Sequence, residues 1–275
     1  MTSHLRVGIV NYLNSRPLAW SFLRGQVGPE LRPSFMSPAE VARSLAAGDL
    51  DVGLIPSIEV QRIPGLKVLP GLCVAATREV RSVLLLSRRP IREIERLALD
   101  ENSRTSAALV RILLRENFGI EPRCLTASPR LADMMAVADA ALIIGDPALS
   151  VDRTGLQVLD LAAEWRRLTG RPFVFAVWAA REDLDLGPWQ RIFVESLRQG
   201  RSEIELLVRE ASREMGLDIA TIREYLTQCL SFELGQAEQE GLAQFFKRAL
   251  AQGLIDRFHD VEGLSSCGLG TDSVE

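Results

Sequence analysis

Amide, hydroxyl and guanidinium groups gather at four points of this chain, and their types limit the chemistry they can do. Asn11, Asn14, Ser15 and Arg16 form the first group and Ser57 the second. Asn102, Ser103, Arg104, Thr105 and Ser106 form the third, and Gly145 with Asp146 the fourth. Such groups bind carboxylates and polarise oxygens, but only Asp146 among them takes and gives a proton at ordinary pH. The two histidines, His4 and His259, lie near the ends of the chain, which argues against imidazole as general acid or base. GxGxxG, GxxxxGK[ST], GxSxG and HExxH are all missing from the sequence, so a nucleotide, an acyl-enzyme or a zinc ion is not indicated. No cofactor is expected. Catalysis, if any, runs on polarisation and positioning.

The four groups share one local context. Residues 5–10 form a short apolar run with β-branched residues, which suits a buried strand. The polar loop 11–15 follows, and Pro17 fits the first turn of a helix. Strands are also expected at 31–35, 51–55, 66–76, 80–87, 96–99, 122–126, 140–144, 156–160 and 172–179. Helices are expected after Ser37-Pro38, where Glu40 completes a capping box, over 58–62 with Ser57 as cap, over 105–117, after Ser128-Pro129 and over 161–169. The last hundred residues read as helical over 189–215, 219–230 and 237–252, with a polar tail from Cys267. Each polar group therefore sits where a strand ends and a helix begins, where unpaired N–H groups favour an anion. Asp146 before Pro147 also fits an ordinary helix cap. Arg16 and Arg104 fit either a ligand charge or a solvated helix start. Ser82, early in its strand, is a further candidate donor. Tyr12, Phe173 and Phe175 are read as core.

Asn11, Ser37-Pro38 and Pro56 recur as Asn102, Ser128-Pro129 and Pro147, each 91 residues later. The β-α-β-α-β order recurs with them, which points to a duplicated unit and two parallel sheets. Ligands of such sheets bind beyond the carboxyl ends of the strands, so two facing sheets would bring all four loops to one cleft. A net charge of −4 with no basic run argues against nucleic acid. No apolar stretch reaches the roughly 18 residues of a membrane span. Four scattered cysteines and no leader-like start are read as a cytoplasmic chain. The sequence carries no mark of an oligomeric state.

Residues 7–18 (Val-Gly-Ile-Val-Asn-Tyr-Leu-Asn-Ser-Arg-Pro-Leu) and 51–59 (Asp-Val-Gly-Leu-Ile-Pro-Ser-Ile-Glu) resemble two signature stretches of the chorismate dehydratases. Residues 232–242 are similar to that family's C-terminal helical signature, and the resemblance spans essentially the whole chain. It implies a type II periplasmic-binding-protein-like fold: two α/β lobes joined by two crossing strands, with a helical C-terminal segment. The expected lobes are 1–87, 88–172 and, returning to the first, 173–275. It also implies a lyase that removes water from chorismate to give 3-[(1-carboxyvinyl)oxy]benzoate, the opening step of the futalosine route to menaquinone. Asn14 matches the asparagine of the family's first motif and is the expected catalytic residue. Asn11, Ser15, Arg16, Ser57, Ser82, Ser103, Thr105, Ser106, Gly145 and Asp146 are expected to bind substrate. The alternative is a non-catalytic small-carboxylate binding protein or sensor on the same fold. The family's two-lobed relative that makes a dihydroxynaphthoate resembles this chain less in the first motif.

Overall fold

The computed structural model describes residues 4–187 and 189–259; the expected polar tail, with Cys267, lies outside them. In chain order the elements are β1 (Leu5–Val10), α1 (Trp20–Leu23), β2 (Leu31–Met36), α2 (Pro38–Ala47), β3 (Val52–Pro56), α3 (Glu59–Arg62), β4 (Leu66–Ala76) and β5 (Val83–Ser87). Next come β6 (Arg96–Asp100), α4 (Thr105–Leu113), β7 (Arg123–Ala127), α5 (Leu131–Val137), β8 (Ala140–Ile144), α6 (Asp146–Ser150), β9 (Gln157–Asp160) and α7 (Leu161–Thr169). The chain closes with β10 (Phe173–Arg181), α8 (Gln190–Ser202), α9 (Ile204–Met215), α10 (Ile219–Glu224), β11 (Ser231–Leu234) and α11 (Gln236–Ala251).

Two sheets result, in the orders β11-β4-β10-β3-β1-β2 and β7-β6-β8-β5-β9. Each contains the same three-strand unit. In the first lobe β1 pairs in parallel with β2 and β3, and in the second β6 pairs in parallel with β7 and β8. An antiparallel strand flanks each unit, β10 beside β3 and β5 beside β8. The duplication inferred from spacing is thus a duplication of sheet topology. The exchange of strands between halves joins the lobes: β5 enters the second sheet directly after the first-lobe strand β4, and β10 returns to the first.

That exchange moves the expected lobe boundary. Val83 pairs with Ile144 and Leu84 with Ile143, so residues 83–87 belong to the second sheet, and the first crossing precedes them. The turn is made at Arg81, the one non-glycine residue with positive φ (62°) among the described residues. Asp160 accepts N–H bonds from Val80 and Arg81 on one side and from Ala162 and Ala163 at the start of α7 on the other. This one carboxylate holds both the crossing and a helix.

The lobes share a core. Buried residues of both sheets form one continuous cluster, and a smaller one lies beneath α5. At the junction Trp165 of α7, Phe173 of β10 and Phe245 of α11 pack edge to face, with centroids 5.0–6.2 Å apart. Such pairs add to the burial of large apolar rings, so the lobes are not independent bodies.

Several local expectations were mistaken. Pro17 does not open an α-helix: Leu13–Ser15 form a 3₁₀ turn, and α1 begins only at Trp20. Ser57 does not cap α3, because its hydroxyl donates to the Val174 carbonyl at 2.8 Å. Ser37 makes the expected capping box with Glu40, whereas the repeat Ser128-Pro129 lacks one and α5 begins after Arg130. The stretch 219–230 turns wide into a π-turn at Tyr225–Cys229 and is followed by an extra edge strand, β11.

Candidate active site

Between the lobes lies a cleft of about 570 Å³, counting its open mouth. Val10, Leu54, Pro56, Val74 and Phe175 make the first lobe's wall, and Val83 and Ile144 face them from the second. Asn14 and Ser15, with Tyr12, enter from the loop after β1. Asn102, Arg104, Thr105 and Ser106 enter from the loop after β6, and Gly145 from the loop after β8. The cleft is mainly apolar, with its polar groups at the strand ends, which is the usual composition of a small-molecule site.

Two backbone N–H groups of the first lobe are met by side chains of the second. Leu13, first residue of the 3₁₀ turn, donates its N–H to Asp146 Oδ1 of the second lobe at 2.9 Å. Ile58, at the entrance to α3, donates its N–H to Thr105 Oγ1 at 3.2 Å. The 3₁₀ turn at Leu13 and the start of α3 are thus each met by a side chain of the second lobe. Asp146 is therefore a cap, but of a turn 133 residues away rather than of its own helix. Burial pushes the Asp146 carboxyl up from its ordinary range, while the Leu13 N–H and the Arg16 charge pull it back. Beside it Gly145, at φ +67°, packs so close to Tyr12 that a Cβ would lie 2.7 Å from the ring. A side chain there would collide with the Tyr12 ring and take up a backbone conformation that favours glycine.

The start of α4 is different. No side chain caps it, so its first-turn N–H groups keep their partial positive charge. Ser106, buried in that first turn, and Arg104 line the cleft there. Arg104 Nη1 lies 3.8 Å from Oε2 of the buried Glu59, whose other oxygen pairs with Arg62 at 3.0 Å. Asp100 sits beneath this loop, 1% exposed, with one oxygen taking the Asn102 N–H at 2.9 Å and the other without a partner. Burial pushes its pKa up.

The other expected site residues lie elsewhere. Asn11 is exposed and Arg16 pairs with Glu214 at 2.5 Å, so neither lines the cleft. Ser57 is buried behind the wall. Ser82 is fully buried, where the Tyr225 hydroxyl donates to its Oγ at 2.8 Å. Ser103 faces the outer side of α4, and its buried hydroxyl lacks a partner. Conversely, Tyr12 and Phe175 line the cleft although read as core, and only Phe173 is wholly core. Their aromatic types mark them for either role; Phe173 and Phe175 pack against each other along β10 with centroids 4.7 Å apart, and only Phe175 reaches the cleft. Among the described residues lining the cleft, Tyr12 and Arg104 are the only ionisable ones. Burial, with Asp100 and Asp146 nearby, pushes the Tyr12 pKa far up.

The menaquinone biosynthesis family model matches residues 5–251. The chain is 30% identical over 261 residues to the chorismate dehydratase of Thermus thermophilus, covering 87% of this chain and 93% of that one. Among solved structures, a protein of Archaeoglobus fulgidus superposes with a TM-score of 0.72 at 16% identity, covering 92% of this chain and 99% of that one. The alkanesulfonate-binding protein of Xanthomonas axonopodis gives 0.69 at 19% identity, covering 96% and 98%. The fold is that of the two-lobed periplasmic binding proteins. No helix of the described residues is long and apolar enough to cross a membrane.

Proposed function

The chain belongs to the menaquinone biosynthesis family, and we propose that it dehydrates chorismate to 3-[(1-carboxyvinyl)oxy]benzoate in the cleft between its lobes. The observation that carries the mechanism is the makeup of the cleft lining: an uncapped helix start beside Arg104, and no carboxylate or imidazole among the described lining residues. Chorismate brings two carboxylates and a hydroxyl leaving group. The ring carboxylate belongs at the start of α4, held by the first-turn N–H groups, the Ser106 hydroxyl and Arg104. Loss of the C3 proton sends negative charge through the ring toward that carboxylate, and fixed donors there stabilise it as it develops. Expulsion of the C4 hydroxyl then completes the aromatic ring. In sum, one C–H and one C–O bond break, and water leaves.

The proton needs an acceptor. Arg104 is permanently charged, and the Tyr12 phenol stays protonated at neutral pH. The substrate's own enolpyruvyl carboxylate is the remaining base, so the protein's task is to hold the reactive conformer and exclude water. Asn14, on the cleft wall at the opposite lobe, orients the departing hydroxyl. Cytoplasmic residence fits a biosynthetic enzyme acting on a soluble metabolite.

The test is incubation of the purified protein with chorismate, followed by chromatography with mass detection. A product lighter by one water that retains the enolpyruvyl group supports the reading. Unchanged chorismate, bound by a folded protein, would favour a small-carboxylate binding protein instead.

A further inference from the structure

Among the described residues lining the cleft, Arg104 is the one that carries a fixed positive charge. It also borders a second hollow on the outer side of α4, lined by Arg62, Ser103, Ala107 and Leu254. Its side chain is about one-third exposed, and among the described residues its one charged partner is Glu59 of the first lobe. A long side chain of this kind has many rotamers. Ordering it weakens ligand binding unless the protein has ordered it beforehand.

Glu59, the first residue of α3, is a fixed point by comparison. It is buried; Oε1 accepts from Arg62 Nη1 at 3.0 Å, and Oε2 lies 3.8 Å from Arg104 Nη1, at ion-pair distance. The helix itself is pinned from behind by the chain that follows α11. Arg62 Nη2 donates to the Leu254 carbonyl at 3.0 Å, and the buried Gln61 exchanges two hydrogen bonds with the His259 backbone, at 2.8 and 2.6 Å. In front, the Ile58 N–H donates to the Thr105 hydroxyl at 3.2 Å, one residue beyond Arg104. Ser57, whose hydroxyl is donated to the Val174 carbonyl, brings its Oγ within 3.4 Å of the same Thr105 oxygen. Residues 57–59 and 104–105 are thus seated on each other. A buried carboxylate is stable only when it is paired. Here one carboxylate faces two guanidiniums, so one positive charge is left over at the cleft edge to attract an anion.

We propose that Glu59 is a positioning residue that acts through Arg104: its carboxylate, fixed by Arg62 and by the seat of α3, holds the Arg104 guanidinium at the cleft edge for the substrate's ring carboxylate. Without it the guanidinium is free to turn into the hollow outside α4, and each binding event must order it again. This inference rests on the carboxylate site given to Arg104 above.

The experiment compares Glu59→Gln, Arg104→Met and the double variant in steady-state dehydration of chorismate. Glu59→Gln keeps the length of the side chain and removes its charge. It is expected to raise KM roughly 3- to 10-fold, the scale of ordering one rotamer-rich side chain. Its kcat should stay within about 2-fold, because the bound complex still contains Arg104 in place. The double variant is expected to match Arg104→Met alone, since residues acting as one unit are not additive. A Glu59→Gln enzyme with unchanged KM, or an equal rise in the Arg104→Met background, would overturn the inference while leaving Arg104's role intact. An Arg104→Met enzyme with unchanged KM would instead remove Arg104 from the carboxylate site, and this proposal with it. If Glu59→Gln does not fold, Glu59→Asp keeps the buried charge but draws it back by one methylene. There a KM rise absent in the Arg104→Met background supports the inference, and an unchanged KM contradicts it.

Discussion

In the first lobe, the N–H groups at Leu13 and Ile58 are met across the cleft by Asp146 Oδ1 at 2.9 Å and Thr105 Oγ1 at 3.2 Å. In the second lobe, the start of α4 faces the same cleft with no side-chain cap and with Arg104 beside it. Five strands of the first sheet, β2-β1-β3-β10-β4, match the second sheet's β7-β6-β8-β5-β9 in order, with β11 an extra edge strand, and the loops that follow the matched strands carry different side chains. Junctions already satisfied by the protein hold the lobes together. The start of α4, which no side chain caps, is the junction where we propose that a ligand carboxylate binds; the short α6, which begins beside Gly145, also lacks a side-chain cap.

Making the open junction resemble the closed ones has the largest expected effect. Ser106→Asp places a carboxylate in the first turn of α4, where it stabilises the helix by about 0.3–1 kcal/mol. The expected result is an unchanged or raised melting temperature with dehydration lowered at least about 100-fold; steady-state kinetics and thermal melts together check it. Next, Arg104→Met removes the cleft's fixed positive charge and is expected to raise KM by roughly 10- to 100-fold, the scale of one charged hydrogen bond. A KM unchanged in that variant would remove Arg104 from the carboxylate site.

The closed junctions answer in stability. Asp146→Ala orphans the Leu13 N–H and is expected to cost about 1–2 kcal/mol in urea unfolding, as loss of a helix cap does. Asp146→Asn keeps an acceptor and should lose less than half of that. The smallest effect is in pH. Because burial raises the Asp146 pKa in the folded state, the folded form holds its proton to higher pH than the unfolded chain. That group therefore subtracts stability as pH rises from the ordinary carboxylate pKa through the raised one. The wild type should lose stability relative to Asp146→Asn across that window, and unfolding curves of the two at several pH values check the sign.

The sequence made legible what is local or periodic. Spacing together with the recurring β-α-β-α-β order pointed to the repeated unit, and Asn11 and Asn102 do follow equivalent strands, β1 and β6. Asn14, Ser15, Thr105, Ser106 and Gly145 were marked by residue type and by place, and all five line the cleft. The partners of Leu13 and Ile58 were out of reach, because they lie 133 and 47 residues away and only folding makes them neighbours. β11, four residues between two helices, is too short for alternation to show. Pro17 misled because a 3₁₀ turn had already begun at Leu13.

The most direct test is a crystal structure of the protein with the dehydration product bound. A product carboxylate on the first-turn N–H groups of α4, beside Arg104 and Ser106, with the Asp146–Leu13 and Thr105–Ile58 bonds intact, is the predicted result. A carboxylate seated at Leu13 or Ile58, with Asp146 or Thr105 displaced, would contradict the division between the lobes.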